Sequence, residues 1–233
     1  MSDLFELLKK KDVGAIGIGA MIVFIALILV AGVAASVLIQ TSNTVQLQAM
    51  QTGQDTMKEV SGGIAVFDIE GKINKTTRIL NMTYLAITVR PRPGSGDVDL
   101  NNTYILMSDG TKKVLLRYGY DISGLFVTKT GPTTANIFSW LSAANWRSVN
   151  NEKFGIAVMQ DYDTSMTRYS PVMNRGDKAI LFIRCDSSSN GTFGREIPVR
   201  TQVFGQIVPE RGSPGGIMFT TPMSYSEIIY DLQ

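Results

Sequence analysis

The chain has 233 residues, of which 44% are hydrophobic and 18% charged, and a net charge of +2. So little excess charge gives no pull toward nucleic acid. The lack of any histidine removes the commonest general acid–base group and metal ligand. The single cysteine excludes an internal disulfide and a thiolate metal cluster.

Residues 1–14, MSDLFELLKKKDVG, form a short polar lead. Lys9, Lys10 and Lys11 stand just before an apolar run, the arrangement that keeps the lysines cytoplasmic while the following segment enters a membrane. From Val13 to Gln54 there is no Asp, Glu, Lys or Arg. Within this stretch Ala15–Ile39 is almost wholly apolar. Its large residues are Ile16, Ile18, Met21, Ile22, Val23, Phe24, Ile25, Leu27, Ile28, Leu29, Val30, Val33, Val37, Leu38 and Ile39. About 20 such residues cross a bilayer as a helix. The run is too long for a discarded secretory signal and has no bounded small-residue cleavage site after it. It reads as a retained helix.

The helix is expected to continue. Val45, Ala49, Gly53, Met57, Val60 and Ile64 form one apolar stripe at spacings of three and four, and Gly62-Gly63 is the natural stop. A rod over 15–61 is roughly 70 Å long at the helical rise. It must bury its apolar surface in lipid or against copies of itself. Gly17, Gly19, Ala20, Ala26, Ala31, Gly32, Ala34, Ala35 and Ser36 allow close approach between helices.

From Ile64 the texture changes to short apolar runs between turn signals such as Ser108-Asp109-Gly110 and Asn174–Asp177. About eight strands at near-regular spacing predict an antiparallel sandwich or barrel, and Asp109-Gly110 marks the clearest hairpin. Residues 134–145 read as one short helix. The division expected is a leader over 1–14, an assembly helix over 15–62 and a β-rich outer domain over 63–233. The fold class is α+β.

Candidate sites are few. Four N-x-T sequons place potential glycans at Asn74, Asn81, Asn101 and Asn190; Asn101 and Asn190, in turn-rich loops, are preferred over Asn81, which abuts a strand. Asp97, Asp99 and Asn101 alternate as oxygen ligands. Asn102 and Ser108 stand where a calcium loop of the EF-hand type needs Gly and Glu, so solvated turn carboxylates are the reading, with a looser Ca²⁺ site as its alternative. Asp161 and Asp163 are read the same way. Arg175-Gly176-Asp177 reads as a tight turn rather than an adhesion signal. Trp140 and Trp146 read as core or subunit-contact residues, and Cys185, in the run Ala179–Cys185, as a buried thiol. No phosphate loop or nucleophile motif occurs, so an enzyme is not expected.

The segment KKKDVG followed by AIGIGAMIVFIALILVAGVAASVLIQTSN resembles the start of archaeal flagellin (archaellin) precursors, members of the type IV pilin-like superfamily. The end is similar too: Gly205–Pro209, Pro214-Gly215, FTTPMSY and Asp231-Leu232-Gln233. The resemblance covers both ends and leaves the middle unmatched. It implies a prepilin-type signal peptidase cutting between Gly14 and Ala15, although Asp12 and Val13 separate the lysines from the glycine. Gly19, at the fifth mature position where bacterial pilins carry glutamate, favours the archaeal branch. The resemblance further implies a precursor held in the cytoplasmic membrane, a homopolymeric extracellular filament driven by the archaellum motor and assembly machinery, and N-linked glycans without other cofactors. The rival readings are an archaeal type IV adhesion pilin and a single-pass membrane protein with an extracellular β-sandwich.

Overall fold

The computed structural model describes residues 2–75, 80–128, 136–187 and 190–233, with side chains from Gly17 onward. The chain divides into two compact units, Met1–Asp55 and Thr56–Gln233. The described residues of the first unit are all helical and belong to α1 (Ser2–Ser61), 60 residues without a break. No proline interrupts it, and several of its hydroxyls are absorbed locally. Thr41 Oγ1 donates to Val37 O at 2.8 Å and Thr44 Oγ1 to Gln40 O at 2.9 Å, so neither competes with the helix from outside. Ile64, which the apolar stripe had included, is not helical: it opens the first strand.

The second unit is built on twelve strands among the described residues. They are β1 (Ile64–Ile73), β2 (Met82–Pro91), β3 (Val98–Asp99), β4 (Tyr104–Ser108), β5 (Lys113–Tyr118), β6 (Phe126–Thr128), β7 (Lys153–Gln160), β8 (Val172–Met173), β9 (Lys178–Arg184), β10 (Gln202–Val208), β11 (Gly215–Thr220) and β12 (Ile229–Asp231). Eight coincide with the apolar runs. The four missed, β3, β6, β8 and β12, are two or three residues long, too short to show alternation.

Ten strands form one sheet in the order β11-β10-β4-β5-β7-β9-β2-β1-β12, with β6 against β7; β3 and β8 pair separately. The sheet curls until β1 meets the turn before β11, where Ile64 N donates to Ser213 O at 3.2 Å. The result is barrel-like, as expected. It is not purely antiparallel: β5 and β6 both run parallel to β7. A parallel pair needs a long crossover, and the segment between β6 and β7 supplies it.

That crossover forms the second layer. The single helix expected over 134–145 is instead a 3₁₀ turn at Ile137–Ser139 and α2 (Ala143–Ser148), whose cap Ser142 Oγ accepts from Asn145 N at 3.3 Å. Residues 129–135 lie outside the described residues. The layer lays Phe138, Leu141 and Trp146 over Ala86, Ala157, Ile180 and Phe182 on the convex face of the sheet. Trp146 anchors it. Its Nε1 donates to Phe138 O at 3.0 Å, and its ring lies 4.4 Å from Tyr84 and 5.1 Å from Phe182. β2 and β9 are therefore covered on both faces, which is why TYLAITVR and KAILFIRC lack alternation. The main core fills the concave side, with Ile69, Leu85, Ile87, Phe154, Leu181 and Val203 at its centre. Cys185 is buried there, and burial raises its thiol pKa far above the reactive range.

Candidate assembly site

From Gly17 to Val60 every described residue of α1 is exposed. Met21, Ile22, Val23, Phe24 and Ile25 are consecutive, and five consecutive residues cover more than a full helical turn. All are more than half exposed, from 52% at Ile25 to 67% at Met21. An apolar surface on all sides is unstable in water and demands lipid or protein around it. Full burial of one such side chain contributes about 1.5–3 kcal/mol. A Cβ built on Gly17, Gly19 or Gly32 meets nothing within 4 Å, so these positions are flat places where another helix can approach. Ile16, Gly14, Ala15 and Lys9–Lys11 lie where the backbone alone is described.

The helix ends on a joint that the sequence reading did not foresee. Gly62 N closes the last turn on Lys58 O at 2.9 Å, and Gly63 takes φ 128°, open in practice to glycine alone. Gly63 N then donates to Ser95 Oγ at 3.1 Å, and Gly63 O accepts from Arg92 N at 2.9 Å. Ser213 N donates to Gly62 O at 2.8 Å. A Cβ on Gly63 would stand 2.1 Å from Ser213 O, and one on Gly212 would stand 2.6 Å from Gly63 N. Ser213, which directly precedes the Pro214-Gly215 of the C-terminal similarity, thus meets the end of the N-terminal helix. Glycine pairs are common enough that the spacing alone does not reveal such a contact.

A second cluster is only half visible in the sequence. Carboxylate oxygens of Asp161, Asp163 and Asp177 lie within 4.8 Å of one another. Asp161 Oδ2 accepts from Met166 N at 3.1 Å, and Asp177 Oδ2 from Asn174 N at 2.9 Å. Asp163 accepts from Ser165 N and from Asn174 Nδ2. Hydrogen bonds from Ser165 hold the Asp163 carboxyl below the usual range. Asp161 Oδ1 and Asp177 Oδ1 are buried and have no hydrogen-bond partner. A cluster of three carboxyl groups, two of them with a buried oxygen lacking a partner, fits a hard divalent cation such as Ca²⁺, which takes oxygen ligands at about 2.3–2.6 Å. In the sequence Asp161 and Asp163 read as solvated turn carboxylates with a looser Ca²⁺ site as the alternative, and Asp177 falls in a tight turn. Only the fold brings them together. The Asp97–Asn101 segment is different. Asp99 Oδ1 accepts from Asn101 N at 2.8 Å and Oδ2 from Asn102 Nδ2 at 3.3 Å, a self-satisfied turn, while Asp97 is exposed.

Of the sequon asparagines, Asn74 and Asn190 are exposed, and Asn81 and Asn101 are half-buried. The threonines Thr83, Thr103 and Thr192 are at most 2% exposed, and Thr76 lies outside the described residues.

A family model for archaeal-type flagellin matches residues 14–219. The chain belongs to the archaeal-type flagellins. It is 40% identical over 222 residues to Flagellin B2 of Methanocaldococcus jannaschii, covering 95% of this chain and 94% of that one. It is 37% identical over 262 residues to Flagellin B3 of Thermococcus kodakarensis, covering 97% and 99%. The crystal structure of flagellin FlaB1 from M. jannaschii matches with a TM-score of 0.60 at 30% identity, over 74% of this chain and 97% of that one. The archaeal flagellum of Methanospirillum hungatei shares the fold, with a TM-score of 0.54 at 16% identity over 93% and 98%. As an archaeal flagellin the chain is a structural subunit of the archaeal motility filament.

Proposed function

We propose that α1 is the polymerising element of this flagellin, and that it passes from lipid in the precursor to a bundle of identical helices in the filament. One observation carries the reading: α1 presents large apolar side chains on every face, and among the described residues none of its positions from Gly17 to Val60 is buried. Either environment removes those side chains from water; only the bundle also uses the small residues. Contacts repeated without closure generate an open helical fibre. A prepilin-type peptidase cutting between Gly14 and Ala15 removes Lys9–Lys11, which otherwise hold the helix end at the cytoplasmic surface. The β domain then coats the fibre, carries N-linked glycans at exposed sequons, and holds a divalent cation at Asp161, Asp163 and Asp177. The motor turns the fibre, and the chain itself performs no catalysis.

Electron microscopy of sheared surface filaments, combined with N-terminal sequencing of the subunit, tests this. A filament whose subunit starts at Ala15 supports it. A chain retaining Met1 and found only in the membrane fraction replaces it with the anchored single-pass reading.

A further inference from the structure

The β domain carries a basic cup at its root. A cavity of about 710 Å³ is lined by Arg90, Arg92, Arg175 and Lys178. Its wall is tied to the end of α1, since Ser95, also in the lining, accepts from Gly63 N. Two of the cations are held by one ring: the Arg90 guanidinium lies 5.4 Å and Lys178 Nζ 5.2 Å from the centroid of Phe67. Arg92 is fixed by bonds to Ile64 O and Pro214 O, both 3.3 Å. The acid in the same lining, Asp177, turns its Oδ2 to Asn174 N. Among the described residues none of the four cations has an ion pair. The charge of the cup is complementary to carboxylates.

The matching anions lie on α1. Between Val13 and Ser61 the acids are Asp55 and Glu59, four apart and so on one face of the helix. Like charges at that spacing repel. Neither forms an ion pair among the described residues, and Lys58 forms none with them. In a filament α1 is surrounded by neighbouring copies of this chain. Packing this helix half therefore brings an unpaired acidic face into protein, which is strongly unfavourable unless cations meet it.

We infer that Asp55 and Glu59 of one subunit dock into the Arg90–Arg92–Arg175–Lys178 cup of a neighbouring copy. The clasp ties one subunit's rod to another's coat. This rests on the filament reading above, and it adds what sets the register between core and coat. Close charge pairs at interfaces are strong enough to decide such a register.

The test uses full-length chains in a flagellin-deleted host. Asp55→Asn with Glu59→Gln changes exposed helix positions and leaves the β domain intact; the expected result is about tenfold fewer sheared filaments than wild type. The reversals Asp55→Lys with Glu59→Lys, and separately Arg175→Glu with Lys178→Glu, are each expected to abolish filaments. Coexpressing the two reversed chains restores them, because each then offers the charge that the other lacks. That rescue also establishes that both variants fold. Wild-type yield from the neutral variant, or no rescue on coexpression, overturns the clasp. Absence of filaments from the wild type in the same host would instead count against the filament reading itself.

Discussion

Arg195 donates from Nε and from one terminal guanidinium nitrogen to Asp109 Oδ2, at 2.9 and 2.6 Å, across 86 residues of chain. The pair pins the loop before β10 to the β4–β5 turn. Asp109 Oδ1 meanwhile accepts from Thr111 N at 3.0 Å and Lys112 N at 2.8 Å, so one carboxylate both shapes the turn and holds its neighbour. Burial alone would raise the Asp109 pKa; bonds from Lys112, Arg195 and Thr111 outweigh it and bring it to about 2. A lowered carboxylate pKa stabilises the fold above the unfolded value and loses that stability as pH falls through the folded one. Thermal melts should therefore lose about 2 kcal/mol between roughly pH 4 and pH 2, somewhat less because Arg195 is 46% exposed and screened. Asp109→Asn should lower Tm at pH 7 and flatten that acid limb.

Replacing Gly63 by Ala tests the joint. The residue cannot keep φ 128° cheaply, and its Cβ meets Ser213 O. A loss of about 2 kcal/mol or more is expected by calorimetry. Gly53→Ala, where a Cβ meets nothing within 4 Å, should leave the β domain's melting unchanged.

Calcium should raise the melting temperature, and a chelator should reverse the effect. Asp177→Asn neutralises a carboxylate with a buried orphan oxygen. It should abolish the calcium response while losing less than 1–3 kcal/mol in calcium-free buffer, because the repulsion among three carboxylates is relieved. An unchanged response in this variant removes the cluster as the binding site.

Glycan attachment at Asn190 should occur before folding. Asn190 itself is exposed, but the sequon's Thr192 is fully buried and its hydroxyl is out of reach. Mass spectrometry should find occupancy at Asn190 in exported chains, and in-vitro transfer should label an unfolded chain more than tenfold better than the refolded one.

The rod and the larger strands were legible because each states its period over many residues. Ile22–Ile25 can only be a surface meant for burial, and Asp109-Gly110 in fact turns β4 into β5. What was not legible depends on residues far apart. β12 is three residues long and exists because Asp231 meets Glu70 and Tyr230 meets Gly71 on β1. The parallel pairing of β6 with β7 is set by the Trp146 layer, whose own helical signal was shifted by several residues. The acidic cluster was half visible: Asp161 and Asp163 were noticed, but Asp177 arrives from the β8–β9 turn. The basic cup likewise joins the end of β2 to the start of β9, and no local pattern announces that.

The joint at Gly62-Gly63 carries an order of events with it. Its closing partner, Ser213, comes from far later in the chain, so a polypeptide threaded across a membrane from the rod end exports its linkage before its lock. Until the segment around Gly212 and Ser213 emerges and folds back, Gly62 O and Ile64 N lack their partner. A subunit truncated before that segment would keep its apolar helix but lose the hydrogen bonds by which Ser213 holds Gly62 and Ile64.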